Sequence, residues 1–384
     1  MSVDRSLAAE VRASLVATGA DPSTRTVTDA LRRERRVLDH GSVSRLVQEM
    51  RSDLSGFGPL DPWVVTPGVT DIVVNGHRQV FIDRGGGLEP VDVTFSDDES
   101  IRRLVQRLAT SANRRIDDAN PYVDAPLPGG VRLHAVLPPI SDRICVSLRL
   151  ARRTAFTMDE LVAVQTIAPQ LLPILVELIS CRLTFLISGG TGSGKTTLLS
   201  TLLGLANPAL RLILVEDTAE LAPSHSHVIS LQTRAANVEG RGLVTMRDLV
   251  KQALRMRPDR IVVGEVRGPE IIDLMAALNT GHEGGCGTLH ANRASDVPAR
   301  IEALASSGGL DRASAHSQLA AALDAVVHLS RRRDGSRYVE SVAVLERAPD
   351  GLVAALPAFE VNASGELTIS QGRDRWNRML RRRN

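Results

Sequence analysis

The sequence predicts an α/β protein: a layered, mostly parallel sheet, preceded by a smaller α+β domain and a short helical appendage. Three observations carry this prediction. Short, almost wholly apolar runs, Leu183–Ser188, Arg211–Val215 and Arg260–Val263, alternate with helical stretches. Strands apolar on both faces belong to parallel sheets covered by helices. Upstream, an Asn75-Gly76 turn separates two short strand signals, and an amphipathic helix follows. The opening residues are polar, with apolar side chains recurring at helical spacing.

At 384 residues the chain exceeds one ordinary core, so two or three compact units are expected. Residues 1–52 place Leu7, Val11, Leu15, Leu31, Leu38, Val43, Leu46, Val47 and Met50 at helical spacings, which makes the appendage. Gly56-Phe-Gly-Pro-Leu60 punctuates the chain, and residues 53–150 form the α+β domain. Its hairpin uses strands Asp71–Val74 and Gln79–Ile82. Its helix runs from about Ser96 to Ser111, opened by Asp97 and Asp98, with Ile101, Leu104, Val105 and Leu108 on one face. Strands at Val131–Val136 and Ile144–Leu150 complete it, and 151–158 is an arginine-bearing linker. The sheet domain spans 159–346, closed by strands at Ala325–Ser330 and Val339–Leu345. Residues 347–384 are expected as a tail with a basic end.

Composition narrows the function classes. Lys+Arg of 46 against Asp+Glu of 44 gives a net charge of +2, so no global field steers the chain to nucleic acid. Aromatic residues at 3% supply few stacking platforms, which argues further against a DNA or RNA motor. Cys145, Cys181 and Cys286 are far apart, fitting neither a disulfide framework nor a metal-binding spacing. Charges at Asp4, Arg5, Glu10 and Arg12 interrupt any signal-peptide core. Pro169, Pro173, Glu177 and Arg182 break the most apolar stretch, Ile167–Ser188. A cytoplasmic protein is the expectation.

The chemistry concentrates at Gly189-Gly190-Thr191-Gly192-Ser193-Gly194-Lys195-Thr196, which fits G-x-x-x-x-G-K-[ST] and sits between an apolar strand and the helix that Thr197 begins. Glycine permits the turned backbone that aims successive amides at phosphates, at a helix N-terminus that favours anions. Lys195 adds a charge on the β- and γ-phosphates, and the Thr196 hydroxyl completes a Mg²⁺ shell. ATP with Mg²⁺ is the implied ligand. Hydrolysis needs a polarising base, and carboxylates stand at two apolar strand ends: Glu216-Asp217 and Glu265. The usual aspartate before such a glutamate is Gly264 here. Mg²⁺ would then rely on Thr196, phosphate oxygens and water, with Glu216 or Asp217 helping from behind. Helix capping is the alternative role for each of these acids.

Further ordered motifs add a resemblance: Val215-Glu216-Asp217-Thr218-Ala219-Glu220-Leu221, Leu231-Gln-Thr-Arg234, Ile261-Val-Val-Gly-Glu265-Val-Arg267-Gly268, and Asn279-Thr-Gly-His282 to Leu289-His290-Ala291-Asn292. Over roughly residues 37–345 the chain resembles a type II/type IV secretion ATPase, specifically the CpaF/TadA-type motor of Tad (Flp) pili. The resemblance implies a RecA-like P-loop domain working in a homohexamer. It makes Glu216 and Asp217 an Asp box, Glu265 an atypical Walker B glutamate with Arg267 beside it, and His282 and His290 a His box. It places Arg132, Arg143 and Arg149 in an Arg box whose side chains act as fingers on the developing charge. Solvated strand-edge arginines are the alternative. The histidines match no common zinc spacing; neutral imidazoles near the γ-phosphate would instead sense its loss.

Partners implied are inner-membrane platform proteins of a pilus or secretion apparatus. A VirB11-type secretion or conjugation motor is the nearest competing reading, and a non-hydrolysing ATP switch a more distant one. Residues 373–384, with Trp376, Met379 and Leu380 among arginines, read either as an amphipathic helix on anionic lipid or as a frayed tail.

Overall fold

The computed structural model describes residues 56–150, 155–234, 236, 240–332, 334–362 and 364–383, with 10, 11, 14, 23–33, 41–44, 46, 47 and 54 of the N-terminal segment. Most of the expected appendage, and residues 151–154 of the expected linker, lie outside them. The chain divides into two compact units, Met1–Ala151 and Arg152–Asn384.

The first unit holds α1 (Thr24–Arg33), α2 (Asp61–Val64) and α3 (Asp98–Ser111) with strands β1 (Asp71–Asn75), β2 (Val80–Asp83), β3 (Leu88–Val91), β4 (Tyr122–Leu127), β5 (Val131–Val136) and β6 (Cys145–Leu150). Val27, Ala30 and Leu31 of α1 gather with Val43, Leu46 and Val47 in a small core of their own. The six strands pair antiparallel in the order β3-β2-β1-β6-β5-β4. One face is apolar because alternate residues point the same way, as the alternating burial of β4 shows. On it pack Ile101, Leu104, Val105 and Leu108 of α3. Asp97 starts that helix by accepting the Ser100 amide at 2.7 Å. β3 and β4 are additions to the sequence reading: β3 is almost wholly exposed, and proline interrupts both.

The second unit contains α4 (Met158–Ala163), α5 (Leu172–Ser180), β7 (Phe185–Gly189), α6 (Lys195–Leu203), β8 (Leu212–Glu216), β9 (Val228–Gln232), α7 (Met246–Leu254) and β10 (Arg260–Val266). It continues with α8 (Glu270–Leu278), β11 (Cys286–His290), α9 (Val297–Ser307), α10 (Arg312–Ala322), β12 (Ala325–Arg331), β13 (Arg337–Arg347), β14 (Val353–Val361), β15 (Leu367–Ile369) and α11 (Arg373–Arg383). Nine strands form one sheet, β15-β14-β13-β12-β7-β11-β10-β8-β9. The six from β12 to β9 run parallel, and β13 to β15 extend it antiparallel. Successive residues of one strand serve opposite layers. Phe185 and Ile187 join α4, α5, α6 and α11, while Leu186 joins α7, α8, α9 and α10. Thr157 and Glu160 cap α4 reciprocally, which gives a sharp start to this unit.

Residues 347–384, expected as a tail, are built into this sheet. A bulge opposite Val342 and Ala343 breaks the two-residue period of β14 and hid it in the sequence. The terminal segment is a helix, and its apolar side is consumed by the protein. Trp376 is fully buried, edge-on to Phe359 at 5.5 Å between ring centroids, and its indole N–H donates to Glu177 at 3.1 Å. Met379 is buried beside it. Both readings of 373–384 are therefore corrected: the described residues form a helix and not a frayed tail, and Trp376 and Met379, which would enter a bilayer, line the core instead. Among the described residues no helix is long and apolar enough to cross a membrane.

Replacing Trp376 by Ala should cost on the order of 3–5 kcal/mol of stability, read from urea unfolding. A change under about 1 kcal/mol would mean that α11 is peripheral to the fold.

Candidate active site

β7 delivers the glycine loop to the C-terminal edge of the parallel strands, where such sheets hold ligands. Gly189, Gly192 and Gly194 have φ of 153°, 66° and 95°. Space is as tight as the backbone is turned: a Cβ on Gly189 would lie 2.5 Å from the Leu329 carbonyl oxygen and 2.6 Å from Ser193 Oγ. Lys195 opens α6 from beneath the loop. Its Nζ donates to the carbonyls of Gly189 at 3.1 Å and Gly190 at 2.9 Å. Burial pushes its pKa down, while the nearby Glu265 opposes the shift. The Ser193 hydroxyl is buried and has no hydrogen-bond partner among the described residues. Thr191 is exposed, and Thr196 and Thr197 are half-buried in the first turn of α6.

The register β11 keeps with β7 pairs His290 with Gly189 and so brings the histidine to the loop. Its Nδ1 lies 3.4 Å from Lys195 Nζ, and its Nε2 lies 2.7 Å from Glu265 Oε1. Burial lowers the His290 pKa and Lys195 lowers it further, with Glu265 opposing, so the ring is neutral near pH 7. Glu265 reaches this spot through a bulge. Val263 and Val266 of β10 face Gly287 and Leu289 of β11, leaving one extra residue on the β10 side. The 2.7 Å approach is short but misaligned: Glu265 Oε1 has no hydrogen bond of acceptable geometry. Its other oxygen, Oε2, accepts from Arg267 Nη2, and Arg267 Nη1 stands 3.8 Å from Asp217 Oδ2. Asp217 is also bonded by Thr233 Oγ1 at 3.2 Å. One connected set of polar and charged side chains thus runs Lys195, His290, Glu265, Arg267, Asp217.

Glu216, at the end of β8, is 2% exposed. Its Oε1 accepts the amides of Glu220 and Leu221 at 3.0 and 2.9 Å, and its Oε2 is buried without a partner among the described residues. Burial raises its pKa to about 7. The same side chain explains the missing aspartate: a Cβ on Gly264 would lie 2.6 Å from Glu216 Cγ and 3.1 Å from its Oε1. Only glycine leaves that room.

The structure separates two residues paired in the sequence reading. His282 precedes β11, at the opposite end of the strand from His290, and its Nδ1–H donates to the Ala277 carbonyl at 3.2 Å. By the register, the start of β11 lies beside Phe185, about 13 Å along the strands from the loop. His282 caps α8 there and does not share the Lys195 cluster. The glycines between the histidines are set by packing: a Cβ on Gly284 would meet Arg260 Nη1 at 2.8 Å, and one on Gly285 would meet Leu278 at 2.4 Å. Arg132 and Arg149 are direct neighbours across β5 and β6, and both are exposed. Arg143 is engaged by Asp142 at 2.8 Å. All three belong to the first unit.

Sequence reasoning missed two side chains around the loop. His328, buried in β12, places Nδ1 2.8 Å from Ser188 Oγ, tying β12 to β7 just before the loop. A histidine inside an otherwise apolar strand was the available signal. Glu270 accepts the amides of Arg267 and Gly268 at 2.6 and 2.7 Å, fixing the turn that carries Arg267. Its place in the first turn of α8 disguised it as an ordinary helix-start acid.

Among the described residues no three His, Cys, Asp or Glu side chains form a metal cage. Magnesium brought in with a nucleotide needs none, since it keeps several waters and takes one or two protein ligands plus phosphate oxygens. The donor set fits that demand. Thr196 offers a hydroxyl in the first helical turn, and the unpartnered Glu216 Oε2 could bond a metal-held water.

A family model described as Type II/IV secretion system protein matches residues 53–353. A putative conjugal transfer protein of Mycobacterium tuberculosis (strain ATCC 25618 / H37Rv) is 50% identical over 320 residues, covering 82% of this chain and 91% of its own. The conjugal transfer protein TrbB of Rhizobium radiobacter is 31% identical over 281 residues, 72% of this chain and 84% of its own. VirB11, a type IV secretion system protein of Brucella suis, is 32% identical over 259 residues, 61% and 72% of the two chains. Among solved structures, the Yersinia pseudotuberculosis ATPase DotB aligns with a TM-score of 0.52 at 17% identity, covering 82% of this chain and 81% of its own. The pilus retraction motor PilT with bound ADP aligns at 0.53 and 19%, covering 84% of each. These two likenesses establish a shared fold.

The Glu216 environment makes stability depend on pH. Its folded pKa of about 7 lies above the ordinary 4.5, so the protonated acid favours the fold. That contribution is complete below the unfolded value and is lost as pH rises through about 7. Without nucleotide, the thermal midpoint should fall between about pH 5 and about pH 8, and Glu216→Gln should flatten the decline. A variant that tracks the parent across this range would contradict the assigned burial.

Proposed function

The chain belongs to the type II/IV secretion system protein family, and on that premise we propose that it is an ATP-hydrolysing motor of a conjugal-transfer or type IV secretion apparatus. One observation carries the chemistry: Glu265, His290 and Lys195 meet within 3.5 Å contacts at the mouth of the glycine loop. A triphosphate cradled there would draw Lys195 from the loop carbonyls onto its own oxygens. Glu265 Oε1, which lacks an aligned donor, would take a proton from a water while that water's oxygen attacks the terminal phosphorus and the bond from that phosphorus to the bridging oxygen breaks, releasing ADP and phosphate. Arg267 holds the other carboxylate oxygen and so orients the base. Neutral His290 can give an N–H to a phosphate oxygen without adding a second fixed cation beside Lys195. Magnesium, held through Thr196, would supply charge neutralisation on the phosphate oxygens. Glu216 would position metal-bound water, and Asp217 would steady Arg267.

Of the readings the sequence left open, the conjugation or VirB11-type motor is better supported than the Tad/Flp pilus motor. The relative at 50% identity is named for conjugal transfer, and so is the one at 31%. Ring assembly would add a further cation to meet the charge that develops on the phosphate oxygens. We assign that role to Arg132 and Arg149 of another copy in a homohexamer, since the two stand side by side on an exposed sheet face. Arg143, already paired with Asp142, is the weaker candidate. Such a ring would work at the cytoplasmic face of the inner membrane, passing the motion released by hydrolysis to platform proteins of the apparatus.

Lys195→Ala should reduce phosphate release at least about a hundredfold, and Glu265→Gln should do the same while retaining ATP. Release assays paired with nucleotide binding on the purified protein read both. Parental turnover by the Glu265 variant would remove it as the base and favour a different acid.

A further inference from the structure

Sheet order constrains which way a nucleotide lies in the loop. β7 is flanked by β11 on one side and β12 on the other. His290 and Glu265 come from β11 and β10, so the phosphate to be cleaved faces that side. The remainder of a linear triphosphate must leave the loop toward β12. We propose that Arg331 and Arg337, paired across the turn end of the β12–β13 hairpin, form the wall that holds the α-phosphate and nucleoside end of the nucleotide. The proposal rests on the ATPase reading above and extends it to groups that reading does not use.

Both side chains lie against the loop itself. Arg331 Nη2 donates to the Gly192 carbonyl at 2.6 Å. A Cβ on Gly192 would sit 2.6 Å from that same nitrogen, which gives the loop's middle glycine a reason beyond its φ of 66°. A Cβ on Gly194 would lie 3.3 Å from Arg337 Cδ. The hairpin carrying them is anchored. Arg332 stacks over the Tyr338 ring at 4.4 Å and reaches the Gln165 carbonyl, and Arg331 and Arg337 are paired in register.

Charge on this wall is uncompensated. Among the described residues, neither Arg331 nor Arg337 has a carboxylate within 4.0 Å, although the chain carries 44 acidic residues. The nearby acid Glu340 is engaged by Ser330 at 2.9 Å and by Tyr338 at 3.4 Å. Burial, and then Arg331, push the Arg337 pKa down. Two guanidinium groups placed together without an acid are held at a cost that an arriving anion removes. A phosphate attached to a nucleoside, entering beside a glycine loop, is such an anion.

The test compares ADP with inorganic pyrophosphate on the full chain. Pyrophosphate fills the loop positions over Lys195 but presents no nucleoside end. Arg337→Ala, which removes no hydrogen bond to the loop, should weaken ADP about tenfold and raise KM for ATP more than it lowers kcat. Pyrophosphate competition should shift less than about twofold. Arg331→Ala should act in the same direction, and Arg337→Gln repeats the measurement with the stem retained. Unchanged ADP affinity, or equal weakening of ADP and pyrophosphate, would overturn the proposal. Loss of hydrolysis in the parent, or a Lys195→Ala variant as active as the parent, would instead strike the ATPase reading beneath it.

Discussion

The parallel register of β11 against β7 governs this molecule's chemistry. Phe185 faces Cys286 and Gly189 faces His290, so the histidine arrives where the glycine loop begins. A slip of one residue would turn every side chain of β11 to the other layer and take His290 away from Lys195. The register is held by packing on both faces. Phe185 and Ile187 lock into one layer, Leu186 into the other, and Cys286 and Leu289 are fully buried between helices. Gly287 lets the neighbouring strand close: a Cβ there would stand 2.6 Å from the Val263 carbonyl oxygen. The bulge that aims Glu265 is measured against the same strand, so Glu265 and His290 are set by one alignment.

Much of this was readable in the residues, and the reason is local. The glycine loop, its strand and its helix are contiguous, and short-range signals describe contiguous structure well. The acids at strand ends were visible for the same reason. The strands Val131–Val136 and β7 emerged within two residues because their apolar pattern is undisturbed. Elements stabilised mainly by distant partners stayed hidden. β11 is only five residues long and carries a glycine, a threonine and a histidine; its burial comes from β7 and β10 on either side. β14 and β15 depend on pairing across a bulge. The separation of His282 from His290 is likewise three-dimensional: the turn before β11 holds His282 at the start of the strand, and the five residues of β11 carry His290 to its other end, whatever the motif suggests.

Arginine does several unlike jobs in this chain, which composition alone could not sort. Arg260 is buried and donates from Nη1 and Nη2 to the carbonyls of Gly284 and Ile179, while its Nε has no partner among the described residues. Arg383, in the terminal helix, pairs with Glu283 and Asp324, so the end of the chain grips the loop ahead of β11. Arg267 steers a carboxylate, while Arg132 and Arg149 face solvent on a different unit. A near-neutral total conceals this division of labour between structural, orienting and unpaired cations.

The contact between Glu216 and Gly264 joins the ends of two neighbouring strands, where the Glu216 side chain and any side chain at 264 would compete for one volume. Residues 216 and 264 should therefore drift as a couple in related chains: a bulkier residue at 264 is tolerable only where 216 has shrunk. Pairs that break this exclusion would mark descendants whose sheet edge has been rebuilt.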